Sequence, residues 1–247
     1  MISPPSIRYI HVMWKFMKLL IGIGLWPLAW AVSTSTYELY QSSLDASLGG
    51  GWSAWALPLG FMLWVMLFFT LPRPFRTYVL GHELTHALWA MLMGGKVGKM
   101  KVGKSGGHVV LSKTNFLITL APYFFPFYAA MVIAAYYLAG IWLELAAYEA
   151  WWLGLMGFAW SFHITFTVHM LSQQQPDVEE HGMIFSLTVI YIMNALVMAL
   201  LIVMLGEPRL LRFGELLGHD TAAAYSNTAS ALEKIWTECL RLVGRFR

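Results

Sequence analysis

Long apolar segments separated by short polar breaks run through this sequence of 247 residues. A helix rises about 1.5 Å per residue and the bilayer core is about 30 Å thick, so about 20 apolar residues suffice for one crossing. The pattern therefore predicts an all-α polytopic membrane protein with about six transmembrane helices. The predicted crossings are Leu19–Val32, Trp52–Leu71, Phe75–Met93, Phe116–Ala139, Trp151–Leu171 and Met183–Leu205.

The two ends of the chain differ from its middle. Lys15 and Lys18 precede the first apolar segment, and Ala29-Trp30-Ala31 resembles a signal-peptide cleavage site, although an uncleaved first membrane helix is preferred. We predict a transmembrane domain over residues 1–206 and an amphipathic tail over residues 207–247. Apolar residues recur in the tail at helical spacing among arginines, which is typical of a helix on a membrane surface or on a partner.

The segment Lys96–Lys113 does not resemble a membrane helix. Its first half alternates apolar residues with lysines and glycines, Ser105-Gly106-Gly107 is a turn signal, and His108–Leu111 is strand-like. We predict a short β-hairpin directly after the third crossing. A solvated basic loop is the alternative.

Two later crossings contain residues that interrupt an apolar helix. Pro122 and Pro126 in the fourth crossing predict a kink or a locally opened backbone. Ser161, Thr165 and His169 fall on one side of the fifth crossing, which suggests the wall of a water-filled cavity.

Composition supports the membrane interpretation and narrows the chemistry. Hydrophobic residues make up 58% of the chain, charged residues 12%, and the mean hydropathy is +0.60. The net charge is +3, with basic residues clustered at segment ends, which indicates membrane topology rather than nucleic-acid binding. Cys239 is the single cysteine, so any metal must be bound by histidines and carboxylates.

The third predicted crossing contains the pattern H-E-x-x-H, with His82, Glu83 and His86. Helical positions four apart share a face, so both imidazoles can reach one metal ion, while Glu83 can contact a water molecule beside it. A structural cluster satisfied by neighbouring helices is the alternative. Ionisable residues inside a membrane are costly and are therefore functional by default.

A catalytic zinc ion takes three protein ligands and keeps one position open. The two histidines would supply two of these ligands. The polar break between the last two crossings offers four further candidates, and the residues alone leave the choice among them open. They are Asp177, Glu179, Glu180 and His181.

These motifs together resemble the site-2 protease family of intramembrane zinc metalloproteases. The likeness covers Phe75–Gly182 and includes the motif helix, Gly94-Gly95 with the hairpin, and Asn115–Pro122. It implies that His82, His86 and Asp177 bind Zn²⁺, that Glu83 is the general base, and that the hairpin lies at the mouth of the active site. The chain departs from the family where Val178 follows Asp177 and where Ala121 precedes Pro122, because the family usually has glycine at both positions.

The resemblance implies a zinc-dependent metalloendopeptidase that hydrolyses peptide bonds in or next to transmembrane segments of membrane protein substrates. The expected partners are such a substrate, the lipid bilayer and a regulatory membrane partner, with no nucleic acid. The expected location is multi-pass in a bacterial-type cell membrane. A catalytically inactive metal-binding or scaffold protein and a cation transporter are the alternatives. Glu83 argues against the first, and the lack of internal repeats argues against the second.

Overall fold

The computed structural model describes residues 5–45, 52–103, 106–205 and 210–244, and these are mostly helical with one two-stranded antiparallel sheet. The predicted helical class and the predicted hairpin are thus confirmed. The helices are α1 (Pro5–Gly24), α2 (Trp26–Asp45), α3 (Trp52–Thr70), α4 (Phe75–Leu92), α5 (Phe116–Leu120), α6 (Phe127–Ala139), α7 (Glu149–Leu171), α8 (Pro176–His181), α9 (Met183–Leu205) and α10 (Leu210–Gly244), and the strands are β1 (Val97–Val102) and β2 (Gly107–Leu111).

Two helical stretches are long and apolar enough to cross a membrane, Met13–Ser42 and Met183–Leu205. The bent pair Phe116–Tyr123 and Phe127–Ala139 is a third candidate, and its halves meet at 80°. Trp55–Thr70 is a shorter apolar helix. The described residues therefore contain two or three candidate spans, where the sequence pattern predicted about six.

The chain divides into two compact units, one formed by residues 1–46 and 187–247 and the other by residues 47–186. The predicted boundary between residues 206 and 207 falls in 206–209, outside the described residues, and stays a prediction. Ser105 of the predicted hairpin turn also lies outside them.

In the first unit, α10 packs along α2. Leu39 and Phe213 are buried in a shared apolar cluster, and the Thr34 and Ser35 hydroxyls donate hydrogen bonds of 2.9 Å and 2.7 Å to the Asp220 carboxylate. These contacts give the hydroxyl groups of α2 a charged partner on α10. The predicted helix in the tail is confirmed, and its second half exposes apolar side chains, whose membrane or protein partner stays a prediction. They are Leu232, Ile235, Trp236, Leu240 and Val243.

In the second unit, α3 and α7 pack backbone to backbone at glycines. Trp64 on α3 donates a 2.8 Å hydrogen bond from Nε1 to the Thr165 hydroxyl on α7, and Ser161 is fully buried. The aromatic rings of Phe162 and Phe166 pack around Trp64. The predicted water-filled cavity is therefore wrong at Ser161 and Thr165, where aromatic side chains of α3 and α7 pack.

The predicted break at the prolines is confirmed. α5 begins at the N-cap Asn115, whose side chain accepts a hydrogen bond from the Ile118 backbone N–H. A 3₁₀ turn, Ala121–Tyr123, follows it, and α6 starts only after Pro126. Proline lacks a backbone N–H and cannot continue the helical ladder, so the chain changes direction here.

Candidate metal centre

Helix α4 presents both motif histidines on one face. It starts after Pro74 and ends at Leu92, with Met93 as its C-cap. Gly94 follows with a φ of +77°, and the Gly95 N–H donates back to the Ala90 carbonyl oxygen. Glycine closes a helix in this left-handed conformation without a steric penalty. Within the helix, Nε2 of His82 lies 3.2 Å from Nε2 of His86.

The Asp177 carboxylate completes the centre from a distant part of the chain. Helix α8 has Pro176 at its first turn, where the missing N–H costs nothing, and Asp177 follows. Asp177 Oδ2 lies 3.2 Å from Nε2 of His82 and 3.5 Å from Nε2 of His86. Among the described residues, these three form the group whose ligand atoms all lie within 4.8 Å of one another.

The other carboxylates of the polar break are placed differently. Glu179 and Glu180 share the short helix with Asp177 but are exposed, and His181 is buried outside the group. Of these acidic side chains, the carboxylate of Asp177 is the one that reaches the two histidines.

The three distances fit a tetrahedral metal site. Zinc binds imidazole nitrogen and carboxylate oxygen at about 2.0–2.2 Å, and ligands of a regular tetrahedron at that radius stand about 3.3–3.6 Å apart. The observed separations among Nε2 of His82, Nε2 of His86 and Oδ2 of Asp177 are 3.2, 3.2 and 3.5 Å. The spacing of these three atoms is therefore compatible with a bound metal ion.

Hydrogen bonds on the far side of each ring orient the lone pairs. His86 Nδ1 lies 2.8 Å from the Ile118 carbonyl oxygen, which can only accept, so Nδ1 carries the proton. In neutral His86 the Nε2 atom therefore has a lone pair directed at a carboxylate. His82 Nδ1 lies 3.2 Å from the Tyr78 hydroxyl, which can accept a hydrogen bond from an Nδ1–H group. Such outer hydrogen bonds fix the ring tautomer of metal-binding histidines.

The charge of Asp177 suits a cation. Burial raises the pKa of its carboxyl group, but the nearby side chains of His82 and then His86 outweigh burial and hold that pKa well below its usual range. Asp177 is thus a carboxylate at neutral pH. A carboxylate and two imidazole lone pairs that converge on one point are stabilised by a positive charge placed between them.

Glu83 lies next to this group, beneath the hairpin. Its side chain is 5% exposed. A Cβ added to Gly107 of β2 would stand 2.9 Å from Glu83 Cγ and 2.7 Å from Val79 Cγ1. Only a residue without a side chain lets the strand approach α4 this closely, so Gly107 brings the hairpin onto the glutamate.

Three supporting groups of the centre were not identified from the sequence, namely the Tyr78 hydroxyl, the Ile118 carbonyl and the Tyr123 hydroxyl. Tyr78 precedes His82 by four residues, so helical spacing alone could have indicated the contact. Ile118 and Tyr123 belong to the chain around the proline break, which helical spacing in α4 does not reach. Tyr123 is fully buried, and its hydroxyl lies 3.2 Å from Asp177 Oδ2.

Comparisons of the chain with protein-family models, with curated proteins and with solved structures found no match. The class of site is defined by its donors, which are two imidazoles and one carboxylate able to hold a metal ion.

Proposed function

We propose that the chain is a zinc-dependent intramembrane metalloendopeptidase that resembles the site-2 protease family. The observation that carries the proposal is the convergence of His82, His86 and Asp177 at tetrahedral spacing, with Glu83 on the same helix. Mere metal storage would not need a buried glutamate beside the ligands.

The donor set favours zinc. Two neutral imidazole nitrogens and one carboxylate oxygen are a common catalytic zinc environment, which leaves a fourth position for water or substrate. Sites for magnesium or calcium consist of oxygen ligands and lack imidazole. A zinc ion held there supplies positive charge that acidifies water and polarises a substrate carbonyl.

The residues of the chain perform the proton transfers. The Glu83 carboxylate accepts a proton from the attacking water, and the water oxygen forms a bond to the carbonyl carbon of the scissile peptide. Glu83 then gives this proton to the departing nitrogen as the C–N bond breaks, so one water molecule yields a carboxylic acid and an amine. The carboxylate returns to its starting state.

The substrate class follows from the membrane character of the chain. We propose a multi-pass protein of a bacterial-type cell membrane with about six crossings, in which the more polar helix α4 is shielded by its neighbours. Its substrates would be membrane proteins whose scissile segment must leave its helix before hydrolysis. The open edges of the hairpin would hold that segment in extended form.

Glu83→Gln tests the chemistry apart from metal binding. The carboxamide cannot accept a proton from water, so cleavage should fall by about 10²–10⁴-fold while bound zinc is retained. The measurement is cleavage of a panel of fluorogenic single-span peptides in proteoliposomes, with zinc content determined on the same samples. Glu180→Gln, an exposed glutamate on α8, is the matched control and should leave both quantities unchanged.

Two outcomes would contradict the proposal. Cleavage by Glu83→Gln within about threefold of the unaltered chain would show that Glu83 is not the base. If the chain binds zinc but shows no chelator-sensitive cleavage, the alternative is favoured. That alternative is a catalytically inactive metal-binding or scaffold protein of the membrane.

A further inference from the structure

We propose that Tyr123 is a positioning residue of the metal centre, whose hydroxyl holds the Asp177 carboxylate in its ligating orientation. The inference rests on the proposed function, because it concerns the same centre. It adds a residue that the H-E-x-x-H pattern does not contain.

The hydroxyl of Tyr123 reaches both Asp177 and the residue from which α8 begins. Tyr123 Oη lies 3.2 Å from Asp177 Oδ2 and 3.3 Å from Gln175 Oε1. Gln175 is the N-cap position of α8. One buried donor therefore lies between two acceptors on the short segment that presents the ligand. A helix of six residues has little stability of its own, so such contacts determine where its side chains point.

The contact is made to the oxygen that faces the histidines. Oδ2 is the atom 3.2 Å from Nε2 of His82, and it is also the acceptor for Tyr123. A carboxylate oxygen has two lone pairs, so it can bind a metal ion with one and accept a hydrogen bond with the other. The Tyr123 ring also meets the His82 ring edge to face, at 5.4 Å between centroids and 88° between planes. Tyr123 thus contacts two of the three proposed ligands.

The proline break explains how a tyrosine from another segment arrives at this position. Tyr123 ends the 3₁₀ turn that follows α5, and its neighbours Ala121 and Phe124 are as fully buried as Tyr123 itself. If α5 continued through residue 123, the position of the Tyr123 side chain would follow from the helical spacing of α5. The opened backbone at Pro122 instead fixes the tyrosine in a packed turn beside α4 and α8.

Tyr123→Phe tests the inference through metal affinity. Removing an outer hydrogen bond to a metal ligand weakens binding by about 10–100-fold, so we expect the zinc dissociation constant to rise by that factor. The measurement is competition with a chromophoric chelator, on the chain in detergent. Tyr128→Phe is the matched control, because the Tyr128 hydroxyl donates to the Thr77 carbonyl oxygen at 2.6 Å and should not influence zinc.

A double-mutant cycle separates positioning from a purely structural role. In the Asp177→Asn background, Tyr123→Phe should cause no further loss of zinc affinity, since the carboxylate it would orient is gone. The visible ligand-field spectrum of the cobalt-loaded chain should change in Tyr123→Phe and stay unchanged in Tyr128→Phe. A merely structural tyrosine would lower the melting temperature of the metal-free chain and weaken zinc equally in both backgrounds.

Each result supports or overturns the inference. A dissociation constant for Tyr123→Phe within about twofold of the unaltered chain would overturn it, as would equal losses in the two backgrounds. Absence of zinc from the unaltered chain would overturn the proposed function as well. If Tyr123→Phe weakens zinc binding but the unaltered chain cleaves no substrate, only the protease proposal is overturned. Tyr123 would then still be a positioning residue.

Discussion

At the scale of single residues, Asp177 would supply the negative charge of the proposed metal centre. Asp177→Asn replaces the carboxylate by a neutral amide whose nitrogen cannot ligate, so zinc affinity should fall by more than about tenfold and cleavage should cease. The measurement is chelator competition together with the peptide assay. Glu179→Gln, an exposed position on the same short helix, should change neither quantity.

The comparison of these two variants tests the choice of third ligand. Equal loss of zinc in Glu179→Gln and Asp177→Asn would show that the carboxylates of α8 attract zinc only through their negative charge. The 3.2 Å contact between Asp177 and His82 would then not identify Asp177 as a ligand.

The residues of the centre differ in how well sequence could locate them. Helix geometry alone places His82 and His86 together, because they are one turn apart. Asp177 is 95 positions from His82, and no local rule brings it there. The sequence left Asp177, Glu179, Glu180 and His181 open until the family resemblance favoured Asp177. Tertiary packing, which sequence spacing does not encode, decides this contact.

At the scale of elements, the glycines between α3 and α7 determine how closely these helices approach. A Cβ added to Gly157 would overlap the Leu57 carbonyl oxygen, and backbone atoms cannot move aside as side chains can. Gly157→Ala should therefore lower the free energy of unfolding by about 1–3 kcal/mol. The measurement is thermal unfolding in detergent, followed by circular dichroism.

Gly154→Ala on the same helix is the control. Its Cβ would meet only the Ala56 carbonyl oxygen, at an ordinary 3.5 Å, and alanine favours a helix over glycine by about 1 kcal/mol. Gly157→Ala should thus lower the free energy of unfolding, and Gly154→Ala should raise it. Equal destabilisation by both would contradict close backbone packing at Gly157.

Elements with local signals were predicted well. The motif helix, the β-hairpin and the proline break each follow from residues within the element itself, such as Gly94, Pro122 and Pro126. The polar side of α7 was misinterpreted, because periodicity identifies residues that share a face and not what packs against them. Trp64 of α3 packs against Thr165, at a position where the polar residues of α7 had suggested a water-filled cavity.

At the scale of the whole molecule, composition predicts a membrane protein but does not determine the number of crossings. Within the described parts of the chain, two stretches meet the length and hydropathy expected of a span, and the bent pair is a third candidate. The helix that carries the motif also carries Arg76, His82, Glu83 and His86, which lower its mean hydropathy. Ionisable residues thus make a helix harder to recognise as a span from its hydropathy alone.

The most direct test of the proposed centre is the zinc content of the purified chain. We expect about one zinc ion per chain, removable by chelation, retained in Glu83→Gln and lost in the double variant His82→Ala/His86→Ala, because one remaining carboxylate cannot hold the ion. Circular dichroism on the same samples would verify that the double variant keeps its helices. Undiminished zinc in a folded double variant would contradict the assignment of the metal to His82, His86 and Asp177.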